Sequence, residues 1–538
     1  MALGEDDVAR LHQRTEGWPA GLYLAALYLR EGGALGSAVV SFGGDDRVVS
    51  DYMKAEFLSR ISQGERQFLT RTAVLERMSG SACDAVLELP GAHKVLADVA
   101  RSNLLLVPLD RRGEWYRYHH LFRDLLLAEL KRQEPGLIPV LQRRASQWCL
   151  LNGLAEEALE YSMAAEDLEA AAGLVEKLVI PTHRRGRVTS IQRWFRWMED
   201  RTGIDGHPMV AVLASLFSAL IGRPVEAERW ADAVDRWQYG DVDRPDDPST
   251  KAWAAVLRTF LCRRGVDRMR ADGDDAVRRF AAEDFVTPAP TLLRGIASVL
   301  CGDIDGGDAS LEDAASIGEV VGAHEDRALA LCERSLLAMA CGDWGRAEAL
   351  AIEARTVLRQ AGIEDAYSMP LLNAVQARAA IHRGDVPAAR QQLVGAQRLG
   401  HLLTYAVPYF AVQARIELIR VHLTLADMAG ARMLMREVDQ VLRRRPGLGT
   451  LVADAEALRA RLAGERGSSF PGASALTAAE LRLLPLLSTH LSLPEIATEM
   501  FLSRNSIKSE VASIYRKLGA SSRSQAVARS RGLGLLEW

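Results

Sequence analysis

The chain lacks most of the signatures that catalytic and membrane proteins carry. No G-x-x-x-x-G-K-[ST] loop occurs, and no other glycine-rich turn brings backbone N–H groups onto a phosphate. Nucleophile elbows, dinucleotide fingerprints and metal motifs are absent too, so no catalytic residue is expected and the chain is read as a non-enzyme. No apolar run reaches the roughly 18 residues that a membrane helix needs, and the start has no signal-peptide pattern. A cytoplasmic protein without a membrane partner is the expectation. Only six cysteines occur, at 83, 149, 262, 301, 332 and 341, with no C-x-x-C and no histidine at zinc spacing. They suit small core positions in a reducing compartment. His119-His120 is a poor metal pair, because adjacent helical positions point about 100° apart.

What is present is helical. With 48% hydrophobic and 25% charged residues the composition is globular, and 538 residues suggest three or more structural units. Beta-type alternation is sparse, whereas Ala/Leu/Arg/Glu runs of helical period dominate, which predicts an all-α protein. The middle of the chain repeats. Gly302-Asp303, Gly342-Asp343, Gly384-Asp385 and Ala426-Asp427 recur every 40 to 42 residues, each between two apolar helical runs. A small residue follows each pair four to six positions on: Gly306 or Ala309, Ala347, Ala388 and Ala431. The turn residue ends one helix, the aspartate caps the next, and the small residue lets the two close in. This pattern is similar to tetratricopeptide-class hairpins and predicts a solenoid over 150–462. Earlier hairpins are expected at Asn152–Leu178 and Val210–Trp237, and a surface loop at Gly240–Thr250.

Residues 75–149 differ in texture. Leu104–Leu109, the polar Asp110–Glu114 and the aromatic Trp115–His119 read as a hairpin after several helices, the pattern of a small winged-helix-like unit. Its mixed charge and its apolar Trp115–Phe122 segment favour internal packing over DNA contact. Tryptophans 194, 197, 230, 237 and 253 are expected to pack between hairpins, with an inducer pocket as the other reading.

The C-terminal end is the most informative. Thr477-x-x-Glu480, Ser492-x-x-Glu495 and Ser522-x-x-Gln525 are three capping-box patterns, each before an apolar-periodic run, and Pro494 sits at a helix start. Between the last two lies Ile496–Met500, a tight turn, and a further helix that Ser503 can cap. Residues 476–538 are therefore expected to form a four-helix helix-turn-helix domain, joined through a flexible linker at 463–475. Residues 471–538 carry eight Lys/Arg and five Asp/Glu, net +3, on a remainder of 58 basic and 65 acidic residues, net −7. A basic end on an acidic body suits a module that meets DNA.

These residues resemble the LuxR-type helix-turn-helix family: Leu476-Thr477-x-x-Glu480, Glu495-Ile496-Ala497, Leu502-Ser503, Ser506-Ile507-Lys508, Ile514-Tyr515-x-Lys517-Leu518-Gly519 and Ser522-Arg523-x-x-Ala526 fall where its pattern puts them. Glu510 stands where many members carry a histidine; it either points away from phosphate or reads a cytosine amino group. Further up, Thr15–Leu22, Arg47-x-x-x-Asp51-Tyr52, Phe68-Leu69-x-x-Thr72-x-Val74-Leu75 and Trp115–His119-x-Leu121-Phe122 resemble the large MalT-like LuxR regulators of the STAND class of signalling ATPases.

The resemblance implies a bacterial transcription regulator with double-stranded promoter DNA, self-association on that DNA, RNA polymerase, and an inducer or protein partner on the solenoid. It also implies ATP as a ligand of the family's core, but the phosphate loop is not in this sequence, so no cofactor is expected. Residues 1–74 read as the helical region that follows such a core, with residue 1 near its end. An interaction scaffold or truncated remnant without specific DNA binding is the other reading. Helical spacing puts 505, 508, 509, 512 and 516 near one face of the third helix, with Ile507, Val511, Ile514 and Leu518 opposite. The expected DNA-contacting set is Arg504, Asn505, Ser506, Lys508, Ser509, Ala512, Arg516, Lys517, Ser522 and Arg523. For Ser522 and Arg523, simple helix capping is the competing role.

Overall fold

The computed structural model describes residues 5–31, 44, 46–101, 105–202, 206–239, 247–282, 286–464, 476–489, 491–500, 502–532 and 536. The expected loop at Gly240–Thr250 and the tether at 463–475 lie largely outside these residues. The described residues are almost wholly helical, and no helix among them is long and apolar enough to cross a membrane. They divide into two compact units, Met1–Arg201 and Thr202–Trp538.

The first unit holds a two-stranded sheet, β1 (Leu106–Pro108) antiparallel to β2 (Tyr116–Tyr118), with Leu106 opposite Tyr118. Met78 adds a bridge to Tyr116. Asp110 builds the hairpin loop: its carboxylate accepts from the N–H groups of Arg112, Glu114 and Trp115 at 2.8–3.1 Å. Tyr116, Tyr118, Leu121 and Phe122 are buried, and the Tyr118 hydroxyl lies 2.7 Å from Thr72 Oγ1. The aromatic segment thus works as packing between the hairpin and the preceding helices. His119 is buried with Nε2 2.9 Å from the Thr15 carbonyl, while His120 is exposed near Glu16; the two rings serve different neighbours.

The expected hairpin at Asn152–Leu178 falls in the first unit, as Ala155–Ala164 against Leu168–Arg184, and the second unit contains six more among the described residues. Pro208–Leu220 pairs with Pro224–Tyr239, Pro248–Leu261 with Val266–Ala282, Ala289–Leu300 with Ile304–Val321, His324–Ala340 with Trp344–Gln360, Met369–His382 with Val386–Arg398, and Pro408–Thr424 with Met428–Arg444. At four of these turns the backbone turns left-handed at Gly302, Gly342, Gly384 and Ala426, with φ from +57° to +89°. The next residue caps the second helix: Asp303, Asp343, Asp385 and Asp427 accept from N–H groups three residues on, at 3.0–3.1 Å.

The close-approach residue differs from the expected set in half of the repeats. Ala347 and Ala431 are fully buried as anticipated, but the residues that let the other two hairpins close are Gly307 and Ala389, with Ala309 exposed. Four residues after the cap, one helical turn places the side chain directly under the partner helix, so every repeat uses the same offset.

The tryptophans fall in both units. Trp194 and Trp197 belong to the helix Val188–Thr202 of the first unit, and Trp253 meets Phe280 edge-on at 5.3 Å in the second.

Candidate nucleic-acid interface

Four helices close the chain: Ala478–Leu486, Leu493–Glu499, Arg504–Leu518 and Arg523–Gly532. Their starts follow the capping patterns. Thr477 and Glu480 form a reciprocal capping box, Glu495 accepts from the Ser492 N–H at 2.6 Å, and Ser503 Oγ accepts from the Ser506 N–H at 3.1 Å. The last box is shifted by one residue. Gln525 donates its N–H to Ser522 Oγ, but its side-chain oxygen accepts from Ser521 rather than Ser522. Leu483, Leu484, Leu487, Ile496, Ile507, Val511, Ile514, Leu518 and Ala526 make a shared core. Burying that apolar stripe at roughly 25 cal/mol per Å² holds the third helix by its inner face.

Its outer face is free. Arg504, Asn505, Ser506, Lys508, Ser509, Ala512 and Arg516 are all exposed. Neither Arg504 nor Lys508 forms an ion pair or hydrogen bond among the described residues, and Arg516 makes only a 3.3 Å contact to Ser513 Oγ. The Ser506 hydroxyl lies 2.8 Å from that of Ser503, within the cap. Glu510 is half-buried at the edge of this face.

Two expected contacts lie elsewhere. Lys517 Nζ sits 2.6 Å from Glu480 Oε2, joining the third helix to the first. Burial would raise the Glu480 pKa, but the Lys517 ammonium, the Ser513 hydroxyl and the Thr477 N–H outweigh it, and the carboxyl is held below its usual value. Arg523 donates to the carbonyls of Leu486, Leu487, Thr489 and Leu491 at 2.6–3.1 Å. It thereby ties the fourth helix to the open end of the first, whose last carbonyls have no helical partner. Both cations are engaged inside the domain. Ser522 caps and stays exposed at the start of the fourth helix. Arg529, which carries no recognisable local pattern, is also structural; it donates to the carbonyls of Leu518 and Gly519 at the end of the third helix.

A short helix, a tight turn and a second helix with an exposed polar face define the helix-turn-helix class of DNA-binding module. Residues 474–530 match the family of bacterial regulatory proteins, luxR family, and residues 54–138 match the MalT winged helix domain. The chain thus carries a segment similar to the MalT winged-helix domain and a C-terminal module of the luxR type.

It is 27% identical over 262 residues to the serine/threonine-protein kinase PknK of Mycobacterium tuberculosis, covering 48% of this chain and 23% of that one. To the HTH-type transcriptional regulator MalT of Klebsiella pneumoniae it is 30% identical over 164 residues, covering 30% and 18%. The chain thus spans about a fifth of the length of the curated relatives it matches. A solved STAND protein with a tetratricopeptide repeat sensor, from Pyrococcus horikoshii, aligns over 87% of this chain and 68% of that one, at 14% identity and a TM-score of 0.47.

Proposed function

We propose that the chain is a transcriptional regulator that reads promoter DNA through Arg504, Asn505, Lys508, Ser509, Ala512 and Arg516, while its solenoid senses a small molecule or protein partner. One observation carries this reading: two cations, Arg504 and Lys508, stand on an exposed helix face with no carboxylate partner among the described residues, while the opposite face of the helix is locked into the core. Arg504 and Arg516 suit phosphates or guanine edges, Lys508 a phosphate, and Asn505 an adenine; the Ala512 methyl suits a thymine methyl. Ser506 and Ser522, both cap residues with exposed hydroxyls, are placed at the rim.

A single module of this type covers about 600–1,000 Å², which favours binding as a pair on half-sites about one helical turn apart. Self-association on DNA and a contact with RNA polymerase therefore belong to the proposal. No role for ATP or for catalysis is proposed for residues 1–538, since the sequence supplies no phosphate cradle.

The test is selection of duplexes from a random library by the full chain, followed by retardation assays across a salt series. Enrichment of a defined site and a steep salt slope are expected. Absence of any enriched site would defeat the reading.

A further inference from the structure

Within the second unit, a seam joins its first hairpins to the segment that follows its last one. The Val266 N–H donates to the Gly447 carbonyl at 2.9 Å, and Arg445 pairs with Glu228, 217 residues away in sequence. Gly449 packs onto the Leu300 carbonyl so closely that a Cβ there would overlap it. Beside this seam lies a cavity of about 280 Å³ between the helices Pro224–Tyr239, Pro248–Leu261 and Val266–Ala282, with Arg445 as its far wall. Its volume is near the small end of ligand pockets (about 300–1,000 Å³), so it suits a ligand of few heavy atoms.

The wall has two characters. Val234, Leu257, Leu261 and Met269 give it an apolar side. The polar side has an excess of donors. Asp235 accepts from Arg263 at 2.9 Å, and Asp272 pairs with Arg258 and Arg268 at 3.3 and 3.1 Å, so both lining carboxylates already have arginine partners. Arg264 has no ion pair or hydrogen bond among the described residues, and the Nε of Arg445 is buried without an acceptor. A buried N–H without an acceptor carries an unrecovered desolvation cost, which a ligand oxygen would offset.

Backbone geometry places the first of these donors, Arg264. Cys262 ends its helix in a left-handed conformation (φ +44°), and Gly265 turns left-handed three residues later. A non-glycine residue in that region is strained, and such strain gathers at binding sites. The intervening Arg263 and Arg264 leave the helix axis at the cavity rim.

From this geometry we infer that the cavity binds a small monocarboxylate with a short apolar body, its carboxylate between Arg264 and Arg445 and its body against Val234, Leu257, Leu261 and Met269. The inference rests on the reading of the solenoid as a sensor, and it adds the ligand class and a route. Arg445 and Gly449 precede the last solenoid helix, Thr450–Gly464, which leads toward the DNA-binding domain. A ligand that engages Arg445 acts beside the helix that leads toward that domain.

The experiment measures thermal shift and calorimetric binding of the full chain with phenylacetate and hexanoate, against phenylacetamide, hexanamide and inorganic phosphate. The two carboxylates are expected to give saturable stabilisation, with little from the amides or phosphate. Arg264→Gln, an exposed side chain without partners, is expected to weaken binding on the order of tenfold while folding normally. Arg445→Gln should abolish it. No saturable shift with either carboxylate, equal shifts with the amides, or full binding by Arg264→Gln would overturn the assignment. Retardation of selected DNA with and without phenylacetate separates the two layers. Binding without any change in DNA affinity supports the cavity and counts against the sensor reading, and failure of carboxylate binding leaves the DNA reading intact.

Discussion

Arg334 of the solenoid lies 2.8 Å from Asp308 and 3.0 Å from Glu312, and Arg346 shares the same aspartate, so neighbouring hairpins are stitched together by buried-edge ion pairs. Arg378 and Arg420 share Glu417 in the same way, and Arg415 pairs with Glu437. On the recognition helix Arg504 and Lys508 pair with no carboxylate among the described residues. The same residue types therefore do different things in the two regions. At these solenoid positions the charge is neutralised within the chain and ties helices to one another. On the recognition helix it is left for something outside. The C-terminal domain itself contains both kinds, since Lys517, Arg523 and Arg529 are tied inward no less firmly than the solenoid arginines.

The sharpest way to break this comparison is at Arg523. Arg523→Ala removes the donor to four carbonyls, and a loss of roughly 2–4 kcal/mol is expected. Hydrogen exchange read over residues 476–532 of the full chain should show the domain opening, with no change in the hairpins. If only the salt slope of DNA binding changed, Arg523 would belong to the outer class.

Lys517→Ala should cost about 1.5–3 kcal/mol in the same domain. Glu480 has a lowered pKa in the folded state, so its contribution is complete above the ordinary glutamate range and is lost as pH falls through the lowered value. The wild-type domain is thus expected to lose stability on acidification, and Lys517→Ala should flatten that acid limb. Identical pH profiles for the two proteins would remove Lys517 from the inner class.

Lys508→Ala is expected to do the reverse. DNA affinity should fall by about 1–2 kcal/mol and the salt slope by about one, while thermal stability stays within about 0.5 kcal/mol. Unchanged affinity and slope would show that the face is not the one that meets DNA.

The smallest effect is expected at a solenoid cap. Asp385→Ala removes the acceptor for the Ala388 N–H and should cost about 1 kcal/mol, read as local exchange in the helix Val386–Arg398. A loss spread evenly over all hairpins would indicate that the repeats unfold as one unit rather than by neighbour.

The local signals are legible because they act over three or four residues. Asp303, Asp343, Asp385 and Asp427 cap in the structure as their turns predict, and Ser503 caps the recognition helix. The inner stripe Ile507, Val511, Ile514 and Leu518 follows from helical period alone. The offset of the small residue is less well defined by sequence, since apolar pattern does not say which neighbour lies directly under the partner helix. Gly307 and Ala389 are identifiable only once the hairpins are closed.

Composition, period and capping chemistry were enough to determine an all-α chain of repeated hairpins that ends in a helix-turn-helix, because each depends on neighbours along one helix. Whether a given cation faces inward or outward depended on residues far away in sequence. Lys517 is inward because Glu480 lies beneath it, and Arg523 because the first helix ends with open carbonyls at its side. Arg445, after the last hairpin of the second unit, reaches Glu228 in its first, and the cavity lies at that seam. A guanidinium on a flexible stem reaches whatever acceptor the fold brings near, and only the tertiary structure decides which one that is.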